Sequence, residues 1–169
     1  MVSKELYYSQ EPYPHAIMDG FAPTYMIDGA YKELTEVWPE YMYAVDMNNT
    51  DAQNLKEFYP YRNDGDDADI YITRINEMKT QCPHIGHLFT ELTSDDFIQK
   101  LEEMTGIKGL FADPYYAGGG IHKVKSGGHL NVHTDYMLHP VEPWYRRINL
   151  LLYLTPNWKY EWGGNFEMW

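Results

Sequence analysis

Two stretches of the chain carry hydrophobic residues at helical spacing. Apolar residues recur every three to four positions between Pro83 and Leu92 and again between Ser94 and Thr105, which predicts two helices. Ser94 or Asp95 can cap the second helix, and Gly106 can end it. The apolar stripes are Ile85, Leu88, Phe89 and Leu92 in the first helix and Phe97, Ile98, Leu101 and Met104 in the second.

The residues before these two helices give a weaker pattern. Residues 14–21 are predicted to form a short strand that ends in a turn. Thr24 is predicted to cap a helix that runs to about Trp38, because apolar residues again recur at helical spacing. Residues 40–72 stay ambiguous, and the acidic run at 64–69 is most simply a solvated loop.

The spacing of hydrophobic residues changes after Gly106. Glycine, proline and aromatic residues now separate short extended segments, which is typical of a β-sandwich or barrel. The pattern predicts an α+β fold that is mainly β, in which the N-terminal helices pack on a sheet of antiparallel strands. The predicted strands lie around residues 110–111, 121–125, 130–133, 147–154 and 165–169.

The net charge of the chain disfavours some binding partners, and its cysteine content favours one type of cellular compartment. Thirteen Lys and Arg residues against 25 Asp and Glu residues give a net charge of −12, which repels nucleic acids and anionic membranes. Cys82 is the single cysteine, so no disulfide can form within the chain and a reducing compartment is favoured. We find neither a signal peptide nor an apolar run of the roughly 20 residues that a membrane span needs. The sequence predicts a soluble, cytoplasmic protein.

Two candidate metal ligands stand close together in residues 128–136, Gly-His-Leu-Asn-Val-His-Thr-Asp-Tyr. Side chains two residues apart on a strand project to the same side, so His133 and Asp135 would point together. One imidazole and one carboxylate are two of the three ligands in the facial triad of non-haem Fe(II) enzymes. The tripeptide alone is a weak signal, because a polar strand end produces it as well.

The sequence around this tripeptide strengthens the interpretation. The motifs are Thr105-Gly-Ile, Asp113-Pro114, Gly118-Gly-Gly-Ile-His122 and the Gly127-Gly128 turn upstream, and Arg146-Arg-Ile-Asn-Leu-Leu-Leu-Tyr-Leu154, Trp158, Glu161-Trp-Gly-Gly164 and Phe166-Glu-Met-Trp169 downstream. In this order they resemble the prolyl-hydroxylase-like group of Fe(II)- and 2-oxoglutarate-dependent dioxygenases. The resemblance is good over residues 84–169, and it implies a double-stranded β-helix, or jelly-roll, core.

The resemblance implies roles for four residues. His133 and Asp135 would bind Fe(II), Tyr153 would hydrogen-bond the distal carboxylate of 2-oxoglutarate, and Asn149 would meet the same co-substrate. Tyr153 as an ordinary core tyrosine, and Asn149 as a structural residue, remain the alternatives. The implied reaction hydroxylates a C–H bond of a peptide or small molecule, with peptidyl proline as one candidate, and releases succinate and CO2. Ascorbate would be an optional further requirement.

Five other polar residues lie near the motif: His122, His129, His139, Arg146 and Arg147. We expect His122 in the core or at the rim of the cavity, His129 further along the metal-facing side, and His139 in solvent or in a lid. None of the three is convincing as a third ligand. For Arg146 and Arg147 a structural ion pair is preferred over binding of the co-substrate.

The resemblance also implies a third iron ligand, a histidine, and a basic residue that binds the co-substrate, both beyond Gly164. Neither occurs before Trp169. We therefore expect a single oxygenase domain over residues 1–169 that is truncated at its C-terminus and inactive by itself. Residues 1–106 would supply the first strand and the supporting helices, and residues 107–169 the first part of the jelly roll.

Two other functional classes stay open. One is a non-catalytic β-barrel module that binds a partner through its aromatic surface and its exposed strand edges, which would also allow a homo-oligomer. The other is a metal enzyme of the cupin type, which usually has more histidines around its first motif.

Overall fold

The architecture combines helices with a small sheet. The computed structural model describes residues 2–37, 53–59 and 68–168. In this part of the chain the fold is α+β, with one two-stranded antiparallel sheet. The elements are α1 (Lys4–Tyr8), α2 (Thr24–Lys32), a π-helical segment (Glu33–Val37), β1 (Gln53–Tyr59), α3 (Ala68–Gln81), α4 (Pro83–Leu92), α5 (Asp95–Thr105), β2 (Ile121–Leu130) and a 3-10 turn (Tyr160–Trp162).

Helices α4 and α5 confirm the prediction from apolar spacing. The Ser94 hydroxyl accepts a hydrogen bond of 3.2 Å from the Phe97 amide and so caps α5. Gly106 ends α5 in the left-handed conformation, with φ of 71°, where a side chain would be strained. Both ends of α5 are thus fixed by residues that directly flank the helix, Ser94 and Gly106.

The N-terminal predictions are only partly right. Residues 14–21 do not form a strand, although the predicted turn is present at residues 19–20. Helix α2 does begin at Thr24, but Pro23 is the residue at its N-cap and makes no side-chain hydrogen bond, so the predicted Thr24 cap is wrong. The helix continues as the π-helical segment to Val37, and Trp38 lies outside the described residues.

The ambiguous stretch 40–72 contains β1 and the beginning of α3. Neither element was predicted, because β1 mixes polar and apolar residues without a regular alternation. Most of the acidic run at 64–69 lies outside the described residues, and Asp69 belongs to the first turn of α3.

The main core forms where three helices meet one face of the sheet. It consists of Met26, Ala30, Tyr59, Ile75, Met78, Cys82, Ile85, Leu88 and Ile121. Burial raises the pKa of the Cys82 thiol to about 11, so the thiol is neutral at physiological pH. A second core cluster joins α5 to the N-terminal residues and to Ile148. These contacts fix the sheet relative to the helices and leave its other face for the candidate site.

The register of the sheet assigns each residue to a face. Strand β2 pairs antiparallel with β1, with Tyr59 opposite Ile121, Phe58 opposite His122, and Lys56 opposite Val124. Tyr59 and Ile121 point to the main core, so Lys56, Phe58, His122 and Val124 share the opposite face, which we call the site face. Gly127 and Gly128 lie within β2 beside a register shift. The prediction of two strands separated by a glycine turn is therefore wrong.

The other strands predicted after Gly106 are not formed in the described residues. An isolated bridge joins Leu138 to Tyr145, and residues 146–155 have no regular secondary structure and no ladder partner among the described residues. Ile148, Leu152 and Leu154 pack against the two core clusters, while Leu151 and Tyr153 are exposed. An extended segment becomes a strand only when a neighbour accepts its backbone hydrogen bonds. The predicted jelly roll thus does not appear in this part of the chain.

A search of the described helices finds none that is long and apolar enough to cross a membrane.

Candidate metal centre

His133 and Asp135 lie close together immediately beyond the end of β2. The distance from His133 Nε2 to Asp135 Oδ1 is 3.5 Å. The two side chains therefore converge, as their spacing predicts, but residues 131–135 form a loop and not the predicted strand. Both side chains are about half exposed, so a small ligand can reach them.

The hydrogen bond of His133 determines which of its ring nitrogens is free. Nδ1 lies 2.7 Å from the carbonyl oxygen of Asn131, so this nitrogen carries the proton and donates it. Nε2 then keeps its lone pair and faces Asp135. Metal-binding histidines commonly have their second nitrogen fixed in this way by a backbone carbonyl.

The two carboxylate oxygens of Asp135 make different contacts. Oδ2 accepts hydrogen bonds from Arg146 Nη1 at 2.9 Å and from Asn149 Nδ2 at 3.0 Å. Oδ1 accepts neither and is the oxygen that faces His133 Nε2. Two ligands of one divalent ion, each ~2.1 Å from it and in neighbouring positions, lie about 3.0–3.4 Å apart. The observed 3.5 Å fits such a pair with a small adjustment.

The Arg146 side chain is held in place by two further contacts. Its Nη2 donates to the Ala117 carbonyl at 3.3 Å, and its guanidinium lies 4.4 Å from the centre of the Tyr136 ring. A Cβ atom at Gly118, where φ is 67°, would overlap both the Tyr136 hydroxyl and the guanidinium. A side chain at Gly118 would therefore be strained and would require the ends of the Arg146 and Tyr136 side chains to move.

The site face of the sheet adds two basic residues to the surroundings of Asp135. His122 packs edge-on against Phe58, with the ring centres 4.7 Å apart. Although part of the residue remains exposed, its pKa is lowered to about 4 by burial and by the Lys56 ammonium, an effect that Asp135 partly opposes. Burial also lowers the pKa of Lys56, and Asp135 opposes that shift as well. His122 is consequently neutral at physiological pH.

The residues for which a co-substrate role was predicted lie in different environments. Asn149 donates to Asp135, so its amide acts on the candidate ligand. Tyr153 is 66% exposed, and its hydroxyl makes no hydrogen bond within the part of the chain that the structure describes. Burial of part of the ring raises the pKa of this phenol. Contact of either residue with 2-oxoglutarate stays a prediction.

A further histidine near the motif, His139, occupies an unexpected position. His139 was placed in solvent or in a lid, but its side chain is only 8% exposed. Its Nδ1 accepts hydrogen bonds from the amides of Val141 and Glu142, and its ring packs against Trp144. His139 thus holds the loop between Leu138 and Tyr145 together and is no ligand of the site.

The structural ion pair that was preferred for Arg146 is present, and its partner is Asp135. The partner itself could not be predicted, because the pairing depends on a loop whose path has no local signal. Sequence reasoning missed one contributor to this site altogether. Lys56 lies in the stretch that the pattern left ambiguous. Its position opposite Val124 on the site face could have been found only from the pairing of β1 with β2.

Comparison with known proteins bears on the same residues. Residues 119–169 match the family model of the 2OG-Fe(II) oxygenase superfamily. This match includes His133, Asp135, Arg146 and Asn149, and it supports that superfamily for the C-terminal part of the chain. No curated protein and no solved structure matches the chain.

Within the described residues, no group of three His, Cys, Asp or Glu side chains could hold a metal ion, so the centre has two candidate ligands there.

Proposed function

We propose that this chain carries part of the active site of an Fe(II)- and 2-oxoglutarate-dependent dioxygenase that hydroxylates a C–H bond. The observation that supports it best is the pair of free donor atoms, His133 Nε2 and Asp135 Oδ1, 3.5 Å apart within the residues that match the superfamily. Fe(II) accepts this kind of imidazole and carboxylate pair. The jelly-roll core implied by the resemblance belongs to the same proposal.

The chain's own residues would prepare the site in a defined way. His133 presents Nε2 because the Asn131 carbonyl holds the proton on Nδ1. Asp135 presents Oδ1 because Arg146 and Asn149 occupy Oδ2. When bound, iron and 2-oxoglutarate supply the oxidising chemistry and yield succinate and CO2 together with the hydroxylated product. The protein orients the ligands so that little rearrangement is needed when the metal binds.

The substrate belongs to the finer part of the proposal. Peptidyl proline is the candidate that the resemblance favours, although a fold does not fix a substrate. The loop from Leu138 to Tyr145 starts close to the metal pair and is closed by the His139 amide, which donates to the Trp144 carbonyl at 2.8 Å. Its aromatic and proline residues would contact the substrate. Ascorbate would serve only to keep the iron reduced.

Metal binding tests the proposed centre. We expect His133→Ala and Asp135→Ala each to weaken binding of Mn(II), used in place of Fe(II), by at least about tenfold, because each removes one of two ligands. The measurement is an anaerobic titration followed by calorimetry or electron paramagnetic resonance. His87→Ala, at an exposed position of α4, is the matched control. Equal Mn(II) affinity in all four proteins would contradict the proposal.

With two ligands, turnover of 2-oxoglutarate by the 169-residue chain itself should stay close to background.

A second function is favoured by one observation. The C-terminal half exposes many large apolar side chains, among them Val132 at 74% and Tyr160 at 84%. A binding module would use such a surface. In this alternative the apolar residues contact a second copy of the chain, and the His133 and Asp135 pair has no catalytic role.

A further inference from the structure

The turn at residues 113–117 contacts the arginine that orients the candidate ligand Asp135. Arg146 Nη2 donates to the Ala117 carbonyl at 3.3 Å, and Arg146 Nη1 donates to Asp135 Oδ2 at 2.9 Å. The guanidinium is planar and rigid, so a displacement of the Ala117 carbonyl would also displace the nitrogen that bonds Asp135. The shape of this turn therefore bears on the metal ligand.

The carboxylate of Asp113 fixes the turn from within. Its Oδ1 accepts a hydrogen bond from the Tyr115 amide at 2.8 Å, and its Oδ2 accepts one from the Ala117 amide at 2.7 Å. Between these two residues, Tyr116 has φ of 50°, which is unfavourable for a residue with a side chain. The turn therefore needs the bonds to Asp113 to keep its shape, and Asp113 determines where the Ala117 carbonyl lies.

Tyr116 ties the same turn to the helical half of the molecule. Its ring centre lies 5.5 Å from that of Phe89 in α4, and its hydroxyl oxygen accepts a hydrogen bond of 3.3 Å from Lys79 Nζ in α3. These contacts do not involve Asp113. Loss of the Asp113 carboxylate should therefore alter the shape of the turn without detaching it from the core.

The other neighbour of Asp113 is a buried histidine in the loop at residues 138–145. His139 Nδ1 accepts hydrogen bonds from the amides of Val141 and Glu142, so the ring hydrogen is on Nε2. Nε2 is buried, lies 3.5 Å from Asp113 Oδ2 and forms no hydrogen bond within the described part of the chain. A buried donor is costly without an acceptor, and Asp113 is the carboxylate that it faces.

Aromatic rings hold the same loop and turn together. The Trp144 ring packs edge-on against Phe111, with the ring centres 4.9 Å apart, and stacks with Tyr115 at 6.1 Å. Trp144 belongs to the loop with His139, whereas Phe111 and Tyr115 lie on either side of Asp113. The loop and the turn thus form one packed unit, and Arg146 connects this unit to Asp135.

We propose that Asp113 is a positioning residue of the candidate metal centre. It holds the Ala117 carbonyl to which Arg146 is bonded, and His139 joins the loop at residues 138–145 to the same carboxylate. This inference rests on the proposed function, because its effect is exerted on the candidate ligand Asp135. The loop that would contact the substrate and the ligand that would bind the metal are then linked through one side chain.

A double-mutant cycle separates positioning from stability. Electron paramagnetic resonance would measure Mn(II) affinity. We expect Asp113→Asn to lower it by about three- to tenfold, less than the roughly ten- to hundredfold that is typical of a residue bonded directly to a ligand. In an Arg146→Met chain the same substitution should change the affinity by less than about twofold, because the connection to Asp135 is already lost. A role confined to stability would weaken binding equally in both backgrounds.

Glu102→Gln is the matched control. Glu102 also accepts a hydrogen bond from the backbone of a turn, from the Leu110 amide at 2.9 Å, and its side chain is 20% exposed against 30% for Asp113. No hydrogen bond joins that turn to Arg146 in the described residues. We expect Glu102→Gln to lower the melting temperature as Asp113→Asn does, but to leave Mn(II) affinity within about twofold of the wild-type value.

His139→Asn provides a second variant in case Asp113→Asn does not fold. The asparagine carbonyl can accept the loop amides in place of Nδ1, while nothing replaces Nε2 beside Asp113. This variant should lower Mn(II) affinity by at least about twofold, again only where Arg146 is present. No loss of affinity, or equal losses with and without Arg146, would overturn the positioning role and leave the proposed function intact. If Mn(II) binding to the wild-type chain does not depend on His133 and Asp135, the proposed function itself fails.

Discussion

At the scale of single residues, the two carboxylate oxygens of Asp135 have different partners in the candidate centre. Arg146 and Asn149 both donate to Oδ2, which holds the carboxylate plane and leaves Oδ1 facing His133. The residues around a ligand determine its orientation, and their loss usually weakens metal binding without removing a ligand. Asn149 is thereby given a role that differs from the co-substrate contact implied by the resemblance.

Replacement of Asn149 tests this difference. We expect Asn149→Ala to lower Mn(II) affinity by about tenfold, because Asp135 loses one of two hydrogen bonds that orient it. The melting temperature should hardly change, since Asn149 is exposed. Metal titration and a thermal melt measure the two effects, with Arg147→Ala as the exposed neighbouring control. Unchanged metal affinity combined with weaker 2-oxoglutarate binding would instead support contact with the co-substrate.

At the scale of elements, a buried carboxylate joins the π-helical segment to α4. Glu33 is 7% exposed and accepts hydrogen bonds from the backbone amides of His84 and Ile85, both at 3.0 Å. His84 Nδ1 lies 2.6 Å from the same carboxylate. Since the residue before α4, Cys82, provides no side-chain cap, Glu33 performs that function from another helix. The contact fixes α4, whose apolar face belongs to the main core.

Loss of this carboxylate should destabilise the protein. We expect Glu33→Gln to lower the free energy of unfolding by about 1–3 kcal/mol, because a charged acceptor of buried amides is replaced by a neutral one. Chemical denaturation followed by circular dichroism gives the measurement. Glu36→Gln is the control, because Glu36 is largely exposed and pairs only with Lys32. A similar effect of both substitutions would show that Glu33 does not cap α4.

At the scale of the whole molecule, buried apolar residues concentrate in the helical half. The two core clusters are built mainly from α2 to α5, whereas many large apolar side chains between Leu130 and Phe166 are exposed. Exposed apolar groups of this extent favour contact with another surface. Residues 147–155 have no ladder partner among the described residues, so a second chain can bond their backbone donors and acceptors.

Self-association through the C-terminal half is the expected consequence. Sedimentation equilibrium should show an average mass that rises with protein concentration. Val132→Lys should reduce this rise, since it places a charge among the exposed apolar residues. Ile17→Lys is the matched control, because Ile17 is 76% exposed, close to the 74% of Val132, but lies in the N-terminal half. A monomer at all concentrations, or an equal effect of both substitutions, would contradict association through this surface.

The sequence by itself determined those features that depend on residues close to one another in the chain. Helices α4 and α5 follow from apolar spacing and from a cap and a terminal glycine, all read within about a dozen residues. The approach of His133 to Asp135 also follows from their separation of two residues, although the loop that carries them was taken for a strand. The superfamily match lies in the same region and supports the chemistry that this pair suggests.

Only the tertiary structure decided what surrounds the pair. Arg146 and Asn149 contact Asp135 from 11 and 14 residues further along the chain, and Arg146 also contacts Ala117 and Tyr136. Lys56 meets the same site because β1 pairs with β2, and that pairing joins residues far apart in the chain. Local patterns contain no information on such pairings, since they depend on how the helices and the sheet pack on a common core. The sequence thus predicted the candidate ligands, and the packing brought together the groups that orient Asp135.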